Sequence, residues 1–236
     1  MEKFKSVFLE NLEKTKLNVN GHQINQFYLY YKMLLEWNEK MNLTAITDLE
    51  DIVVKHFVDS LMVLKFLPSE TISLIDVGTG AGFPGVPLKI IKPQNKITLL
   101  DSLNKRLCFL NALKEKLSLD FELVHARAEE LGRKENYREN FDVSTSRAVA
   151  SLNVLSEYCL PFVKVGGLFI AMKSGSFEEE LKFAKKSISL LGGKVEKIEK
   201  FELPSNISRT IIVIKKIKNT EKTYPRASAK IKKSPL

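Results

Sequence analysis

Residues 74–85 read LIDVGTGAGFPG, an apolar strand pattern that continues directly into a glycine-rich turn and then into a helical pattern. Glycine allows a tight turn and lets a ligand approach the backbone closely. In open parallel sheets, ligands lie beyond the carboxyl ends of the strands, where a turn of this kind is found. The segment therefore predicts an α/β fold that binds a ligand at the end of a strand.

The chain on both sides of this turn alternates between short apolar runs and helical patterns. Near-continuous apolar runs are typical of parallel strands that are buried on both faces. We predict strands in the runs ISLIDV, KITLLD, FELVHA, FDVSTS and GLFIAM, and helices over residues 85–91, 103–117, 128–132, 151–163 and 177–190. Together these elements predict a doubly wound, mainly parallel α/β sheet.

The two ends of the chain depart from this alternation. Apolar residues at helical spacing over 22–41 and 52–67 predict that the first quarter is helical. The closing runs KVEKIEKFEL and RTIIVIKKI have no helix between them, which predicts an antiparallel strand pair at the sheet edge. We predict a helical cap at residues 1–67, a Rossmann-like domain at 68–218 and a basic tail at 219–236.

Composition limits the class of protein and its compartment. The 236 residues contain 44% hydrophobic and 28% charged residues, as ordinary globular proteins do. No apolar leader and no run of about 20 apolar residues is present, so we expect neither secretion nor a membrane span. Two isolated cysteines without a nearby histidine predict a cytoplasmic protein with no metal site. Nothing in the sequence indicates an obligate protein partner.

Positive charge is concentrated at the C-terminus. Residues 215–236 contain eight basic side chains and one acidic side chain, within a chain of net charge +9. Lysine and arginine beside phosphates release counterions, so such a segment is typical of proteins that bind nucleic acid. We expect a mobile basic tail that reaches RNA; a solvated terminus that only aids solubility is the alternative.

Polar residues follow three of the predicted strands. Asp76 lies at the end of the first, and Asp101 at the end of the second is well placed to accept hydrogen bonds from two ribose hydroxyls. After the third strand, Ala128 and Glu129 could bracket an adenine with backbone and carboxylate. The three strand ends therefore predict a nucleoside site.

Two cofactors fit such a site. The spacing of Gly80, Gly82 and Gly85 matches the dinucleotide fingerprint of nicotinamide enzymes, although one such match is weak evidence. Asp76 would repel a pyrophosphate and attract the ammonium group of a methionine moiety, and Pro84 lacks the N–H that a pyrophosphate would use. The sequence favours S-adenosylmethionine; a tight turn in an inert fold is the remaining alternative.

Ordered motifs along the chain point to a known family. They are WN at 37–38, NLTAI at 42–46, HF with DS at 56–60, the run at 76–87, LDSLNKR at 100–106, RAE at 127–129, SRAVA at 146–150 and YPR at 224–226. From about Tyr31 to Leu236 the chain resembles the glucose-inhibited division protein B family, the ribosomal RNA small subunit methyltransferases G. The resemblance implies methyl transfer to ring nitrogen 7 of a guanine in 16S ribosomal RNA, either free or in an assembling small subunit.

The same resemblance implies a set of cofactor contacts. Carried over by position, they are Gly78, Phe83, Asp101, Ser102, Leu103, Ala128, Glu129 and Arg147. Asp76 and Gly80 join this set from the strand-end argument. Arg147 is assigned by the resemblance alone, and a surface ion pair is its alternative role.

The chemistry expected at ring nitrogen 7 agrees with the residues after the fourth strand. Residues 144–147 read STSR, with no general base and no Asn/Asp-Pro-Pro-aromatic motif of amine methylation. Ring nitrogen 7 of guanine carries a free lone pair and no proton, so its methylation needs orientation more than acid–base catalysis. We therefore assign no certain catalytic residue, and Lys173 is the only candidate.

The predicted RNA contacts use phosphate binding and base stacking. They are Lys173, Arg209, Tyr224, Arg226 and Lys230. For Tyr224 the alternative is a structural tyrosine packed against the core. His56 and Asp59, three residues apart in a helical pattern, could form a metal pair or a catalytic dyad, but without a third ligand a role in helix packing or capping is favoured. The alternative functions are methylation of another RNA site and RNA binding by a vestigial cofactor fold.

Overall fold

A computed structural model describes residues 1–13, 15, 17–147, 150–174 and 177–236 of the chain. Ala148 and Val149 of the SRAVA motif lie outside the described residues. None of the described helices combines the length and apolar character that crossing a membrane requires.

A seven-stranded sheet forms the centre of the protein. Its strand order is β3-β2-β1-β4-β5-β7-β6, in which β1 to β5 pair in parallel and β7 runs antiparallel to both of its neighbours. The strands are β1 Ser73–Val77, β2 Lys96–Asp101, β3 Glu122–His125, β4 Phe141–Arg147, β5 Val163–Ser174, β6 Gly193–Leu203 and β7 Ile207–Lys216. This arrangement confirms the predicted mainly parallel sheet with an antiparallel last pair.

Helices pack on both faces of the sheet, because successive buried side chains of a strand point to opposite faces. In β1, Leu74 belongs to one hydrophobic core and Ile75 to the other. The helices are α1 Glu2–Glu13, α2 Gly21–Met41, α3 Leu49–Ile52, α4 Asp59–Leu61, α5 Gly85–Ile91, α6 Asn104–Leu117, α7 Ala128–Leu131, α8 Leu152–Cys159, α9 Glu178–Leu190 and α10 Ser228–Lys233.

The first quarter is helical, as the sequence predicts, but its second half is not one continuous α-helix. A π-helical segment, Val53–Val58, lies between α3 and α4, and a 3₁₀ segment, Met62–Phe66, follows α4. Phe8, Phe27 and Phe57 from this region share one core with residues of the sheet. The domain boundaries at 67 and 218 stay predictions.

The expectation of a mobile C-terminal tail is wrong. The guanidinium of Arg138 donates hydrogen bonds to the carbonyl oxygens of Thr220 at 2.6 Å and Tyr224 at 2.8 Å. Farther on, the side chain of Ile231 in α10 is completely buried in the core. Charge dominates the sequence of this segment, but contacts with distant residues hold it on the domain.

Candidate functional site

The glycine-rich turn is held from below by Asp76. Its Oδ2 accepts hydrogen bonds from the hydroxyl of Thr79 at 2.7 Å and from the backbone N–H of Gly85 at 2.9 Å. Burial raises the pKa of this fully buried carboxyl to about 6. Through Oδ2 Asp76 therefore supports the turn, while its Oδ1 has no hydrogen-bond partner among the described residues. Asp76 does not appear among the described cavity walls, and its contact with a methionine ammonium stays a prediction.

Asp101 connects the turn to the end of the second strand. Its Oδ2 accepts a hydrogen bond from the backbone N–H of Gly80, and its Oδ1 accepts one from Leu103, both at 2.9 Å. Arg106 lies 3.2 Å away and balances its charge. The carboxylate is thereby fixed at the point where the first two strands end.

A cavity of about 470 Å³, called here the strand-end cavity, opens beside Asp101. Its walls are Val77, Gly78, Leu100, Asp101, Ser102, residues 126–129, Ala150, Ser151, Val154, Tyr158, Ser228, Lys232 and Pro235. Glu129 is buried in this wall, and its Oε1 has no hydrogen-bond partner among the described residues. An unpaired buried acceptor costs about 1–3 kcal/mol, so this atom fits a ligand that brings a donor.

A second cavity of about 400 Å³, the turn cavity, adjoins the first through Gly78, Asp101 and Ser102. It is lined by Leu43, Thr44, His56, residues 78–81, Phe83, Asp101, Ser102, Arg106 and Arg147. The two cavities bring together the predicted cofactor residues Gly78, Gly80, Phe83, Asp101, Ser102, Ala128, Glu129 and Arg147. Leu103 is absent from the described walls of both and contributes only the backbone contact to Asp101.

A third cavity of about 360 Å³, the basic cavity, lies on the other side of Arg147 and His56. Its walls are Ile46, Lys55, His56, Asp59, Arg147, Met172, Lys173, Ser174 and Arg209. Because Arg147 and His56 also line the turn cavity, they form the junction between the two.

Arg147 is largely buried and engaged on several sides. Nη1 donates to the carbonyl oxygen of Lys55 at 2.9 Å and lies 3.2 Å from Oδ2 of Asp59. The guanidinium carbon lies 4.9 Å from the ring centre of Phe83, a cation–π contact. The ion-pair alternative from the sequence is therefore present, but at the junction of two cavities.

Sequence reasoning missed the position of His56 and Asp59 at this junction. The His56 ring stacks on Phe83 with centres 4.6 Å apart, while Asp59 is almost fully buried between Arg147 and Arg209. Burial raises the pKa of Asp59, although both arginines oppose this shift. The HF-x-DS motif was the available signal, and only the fold shows what it faces.

Comparison with known proteins identifies the family. A family model described as rRNA small subunit methyltransferase G matches residues 23–212. The chain belongs to the rRNA small subunit methyltransferase G family. This membership confirms the predicted family and the predicted class of enzyme, an S-adenosylmethionine-dependent methyltransferase.

Curated relatives extend the similarity over nearly the whole chain. A ribosomal RNA small subunit methyltransferase G from Acetivibrio thermocellus is 53% identical over 236 residues, which cover 99% of this chain and 97% of the relative. One from Clostridium kluyveri is 54% identical over 222 residues, which cover 93% of each.

Solved structures of other proteins share the fold at low identity. TrmN from Thermus thermophilus has a TM-score of 0.53 and 15% identity, covering 70% of this chain and 53% of that one. TYW2 from M. jannaschii in complex with AdoMet has a TM-score of 0.51 and 15% identity, covering 68% of this chain and 76% of that one. These neighbours confirm the Rossmann-like methyltransferase fold.

The predicted RNA contacts of this methyltransferase G family member divide into two groups. Lys173 and Arg209 meet in the basic cavity, although they come from different strands. Nζ of Lys173 lies 2.6 Å from a carboxylate oxygen of Glu180, and Nε of Arg209 lies 3.3 Å from Oδ1 of Asp59. Both cations are thus held at the cavity wall by acidic neighbours.

The other group lies at the tail, away from the basic cavity. Arg226 pairs with the buried Glu157 at 2.7 Å, Tyr224 is half-buried against the core, and Lys230 is exposed on α10. Glu157 engages the guanidinium of Arg226, and the RNA contact of Arg226 stays a prediction. Tyr224 matches its alternative role as a structural tyrosine, and the RNA contact of Lys230 stays a prediction.

Proposed function

We propose that the chain transfers a methyl group from S-adenosylmethionine to ring nitrogen 7 of a guanine in 16S ribosomal RNA. The observation that carries the proposal is the junction at Arg147 and His56, where the turn cavity adjoins the basic cavity. One side of the junction suits a nucleoside cofactor, and the other suits a polyanion. We place this activity in the cytoplasm, on the free RNA or on an assembling small subunit.

The strand-end and turn cavities fit the cofactor. Asp101 and Ser102 would hold the ribose, since a carboxylate accepts hydrogen bonds from hydroxyl groups. The unpaired Oε1 of Glu129 would accept a hydrogen bond from the adenine amino group. Both cavities lie in the size range of small-molecule sites, about 300–1,000 Å³. The cofactor supplies an electrophilic methyl group bound to a positively charged sulfur.

The basic cavity fits an RNA nucleotide. Its described walls contain the cations Lys55, Arg147, Lys173 and Arg209 and the carboxylate of Asp59, and two further carboxylates, Asp51 and Glu180, pair with Lys55 and Lys173, which leaves four cations against three carboxylates. Such an excess of cations stabilises a phosphate, and sequence-specific RNA recognition usually uses unstacked, single-stranded bases. We therefore place the methyl acceptor between this cavity and the turn cavity.

Catalysis in this arrangement needs no general base. His56 is neutral and hydrogen-bonded on both ring nitrogens, and Asp59 is ion-paired with two arginines. Ring nitrogen 7 of guanine has no proton to remove, so neither group is required to accept one. Correct placement of the reacting atoms can supply about 7–11 kcal/mol of barrier reduction.

The first experiment identifies the product. The protein is incubated with methyl-labelled S-adenosylmethionine and small ribosomal subunits or their RNA, and the RNA is digested to nucleosides. We expect labelled 7-methylguanosine at one site. Label in another nucleoside would point to a different RNA target, and binding of the cofactor without any label would point to a non-catalytic RNA-binding module.

A second experiment tests the basic cavity. Lys173→Gln and Arg209→Gln should each lower kcat/KM for RNA about tenfold or more, because each removes a charge-assisted contact of about 1.5–3 kcal/mol. The dissociation constant of S-adenosylhomocysteine should change less than twofold. Lys96→Gln is the matched control, since Lys96 is exposed at the opposite end of the sheet. If all three variants changed kcat/KM for RNA equally, the proposal that the basic cavity binds RNA would be contradicted.

A further inference from the structure

The C-terminal helix α10 lies over the strand-end cavity. Ser228, Lys232 and Pro235 from this segment line the cavity together with Asp101 and Glu129. The family model that matches this chain ends at residue 212, so the match does not include these wall residues. Their role is therefore open to inference from the structure alone.

We infer that α10 is a structural part of the cofactor site, in which Ser228, Lys232 and Pro235 close the adenosine end of the strand-end cavity. The inference rests on the proposed function for the identity of the ligand. It gives the tail a role besides the expected contact with RNA.

A buried ion pair fixes the start of the tail. Both carboxylate oxygens of Glu157 in α8 contact Arg226, one accepting from its backbone N–H at 2.8 Å and the other from Nη2 at 2.7 Å. The carboxylate is almost fully buried, and removing one partner of such a pair leaves an uncompensated buried charge. Arg226 therefore acts as the attachment point of the tail.

Two further contacts set the orientation of α10. Nη1 of Arg226 donates to the carbonyl oxygen of Ser234 at 3.0 Å, which joins the two ends of the segment. The side chain of Ile231 is inserted into the core formed with α8 and α9. Since Ile231 faces the core, the helix presents Ser228 and Lys232 to the cavity.

The wall built in this way suits a purine. Val154, Tyr158 and Pro235 provide apolar surface. Lys232 adds a cation to the lining of the same cavity, which also contains the carboxylates of Asp101 and Glu129. The unpaired Oε1 of Glu129 independently indicates that this cavity takes a ligand with a donor group. Without α10 this acceptor and the apolar wall would face solvent, and the burial of a purine face would be lost.

The test measures cofactor binding in the absence of RNA. We compare the full chain with a chain that ends at Arg226 and with Lys232→Ala and Ser228→Tyr, using calorimetry with S-adenosylhomocysteine. The truncation and Ser228→Tyr, which places a ring in the cavity, should each weaken binding at least tenfold. Lys232→Ala should weaken it about threefold. Lys233→Ala is the control, since Lys233 lies on the same helix, is exposed like Lys232 but is not among the cavity walls, and this variant should bind as the full chain does.

Binding within twofold of the full chain by both the truncated protein and Ser228→Tyr would overturn the inference, whatever their affinity for RNA. If the truncated protein lost its cooperative thermal transition, it would not be folded, and the binding measured for Ser228→Tyr would decide the test. Failure of the full chain to bind the ligand would instead contradict the proposed function. As a second readout, S-adenosylhomocysteine should slow tryptic cleavage after Lys230 and Lys232 in the full chain, and an unchanged cleavage rate would also contradict the inference.

Discussion

Nδ1 of His56 accepts a hydrogen bond from Nη2 of Arg147 at 3.2 Å. A guanidinium has donors only, so Nδ1 carries no proton and the neutral ring must be protonated at Nε2. Nε2 lies 2.9 Å from the hydroxyl of Thr44 and donates to it. Burial lowers the pKa of His56 to about 3, and the charge of Arg147 makes the second-largest contribution to this shift. The ring is thus a neutral part of the junction between the turn cavity and the basic cavity.

The lowered pKa of His56 makes stability depend on pH. Between about 3 and 6.5 the unfolded chain binds more protons at this residue than the folded chain, so stability is present above pH 6.5 and decreases as the pH falls. The slope for one such group is up to about 1.4 kcal/mol per pH unit. Urea unfolding between pH 5 and 7 measures it. We expect a shallower slope for His56→Gln, and equal slopes would contradict a buried neutral ring.

Replacement of Asp76 should damage the glycine-rich turn. Asp76→Ala leaves the hydroxyl of Thr79 and the N–H of Gly85 without an acceptor, which should cost about 1–3 kcal/mol for each group that stays buried. Affinity for S-adenosylhomocysteine should fall with the integrity of the turn. Chemical unfolding and calorimetry measure the two effects. Wild-type stability and affinity in Asp76→Ala would show that the turn does not depend on this carboxylate.

The pH dependence of Asp76 has the opposite sign to that of His56. Its folded pKa of about 6 lies above the ordinary aspartate value of 3.8, so its stabilising contribution is present at low pH and is lost as the pH rises through about 6. Asp76→Asn cannot ionise. We therefore expect the stability of wild type relative to Asp76→Asn to decrease between pH 4.5 and 8. A constant difference across this range, measured by urea unfolding, would contradict the raised pKa.

Two glycines of the turn should respond differently to alanine. A Cβ atom at Gly85 would lie 2.3 Å from a methyl group of Leu99 and 2.9 Å from Oδ2 of Asp76, so Gly85→Ala should cost about 1–3 kcal/mol through overpacking. At Gly80 no atom lies within 4 Å, and the cost is the left-handed backbone at φ +62°, about 1–2 kcal/mol. Thermal unfolding compares them. We expect Gly85→Ala to be the less stable variant, because it also loses the buried contact of Asp76. A Gly80→Ala protein that is less stable than Gly85→Ala would contradict this order.

The ion pair of Arg147 and Asp59 should show strong coupling. Arg147→Met leaves the buried Asp59 with Arg209 alone, and breaking a buried pair costs about 3–5 kcal/mol. Asp59→Asn in the same chain removes the uncompensated charge and should recover part of this loss. A double-mutant cycle by urea unfolding measures the coupling. Additive effects of the two substitutions would show that the pair is energetically independent.

The sequence predicted the sheet and most of the cofactor site because both depend on local patterns. Apolar runs define the strands, and residues that follow parallel strands must meet at one edge of the sheet. For this reason the sequence alone places Gly78, Asp101 and Glu129 at this edge. The same reasoning could not show that Asp76 points beneath the turn, since side-chain direction depends on the turn's own hydrogen bonds.

The tail shows where composition misleads. Its many lysines predict a solvated, mobile segment, and the apolar side chain of Ile231, flanked by lysines, gives little sign of a buried helix. The contacts that hold it, from Arg138 to Thr220 and from Arg226 to Glu157, join residues far apart in the chain. No local pattern records such pairings.

The sequence by itself therefore determined the fold class, the family and the sheet edge that binds the cofactor, because these follow from the order and spacing of residues. The tertiary structure alone decided that His56, Asp59, Arg147 and Arg209 meet between two cavities, and that α10 covers the strand-end cavity. The physical reason is that ion pairing, burial and the charge state of a side chain depend on which distant residues the fold brings against it.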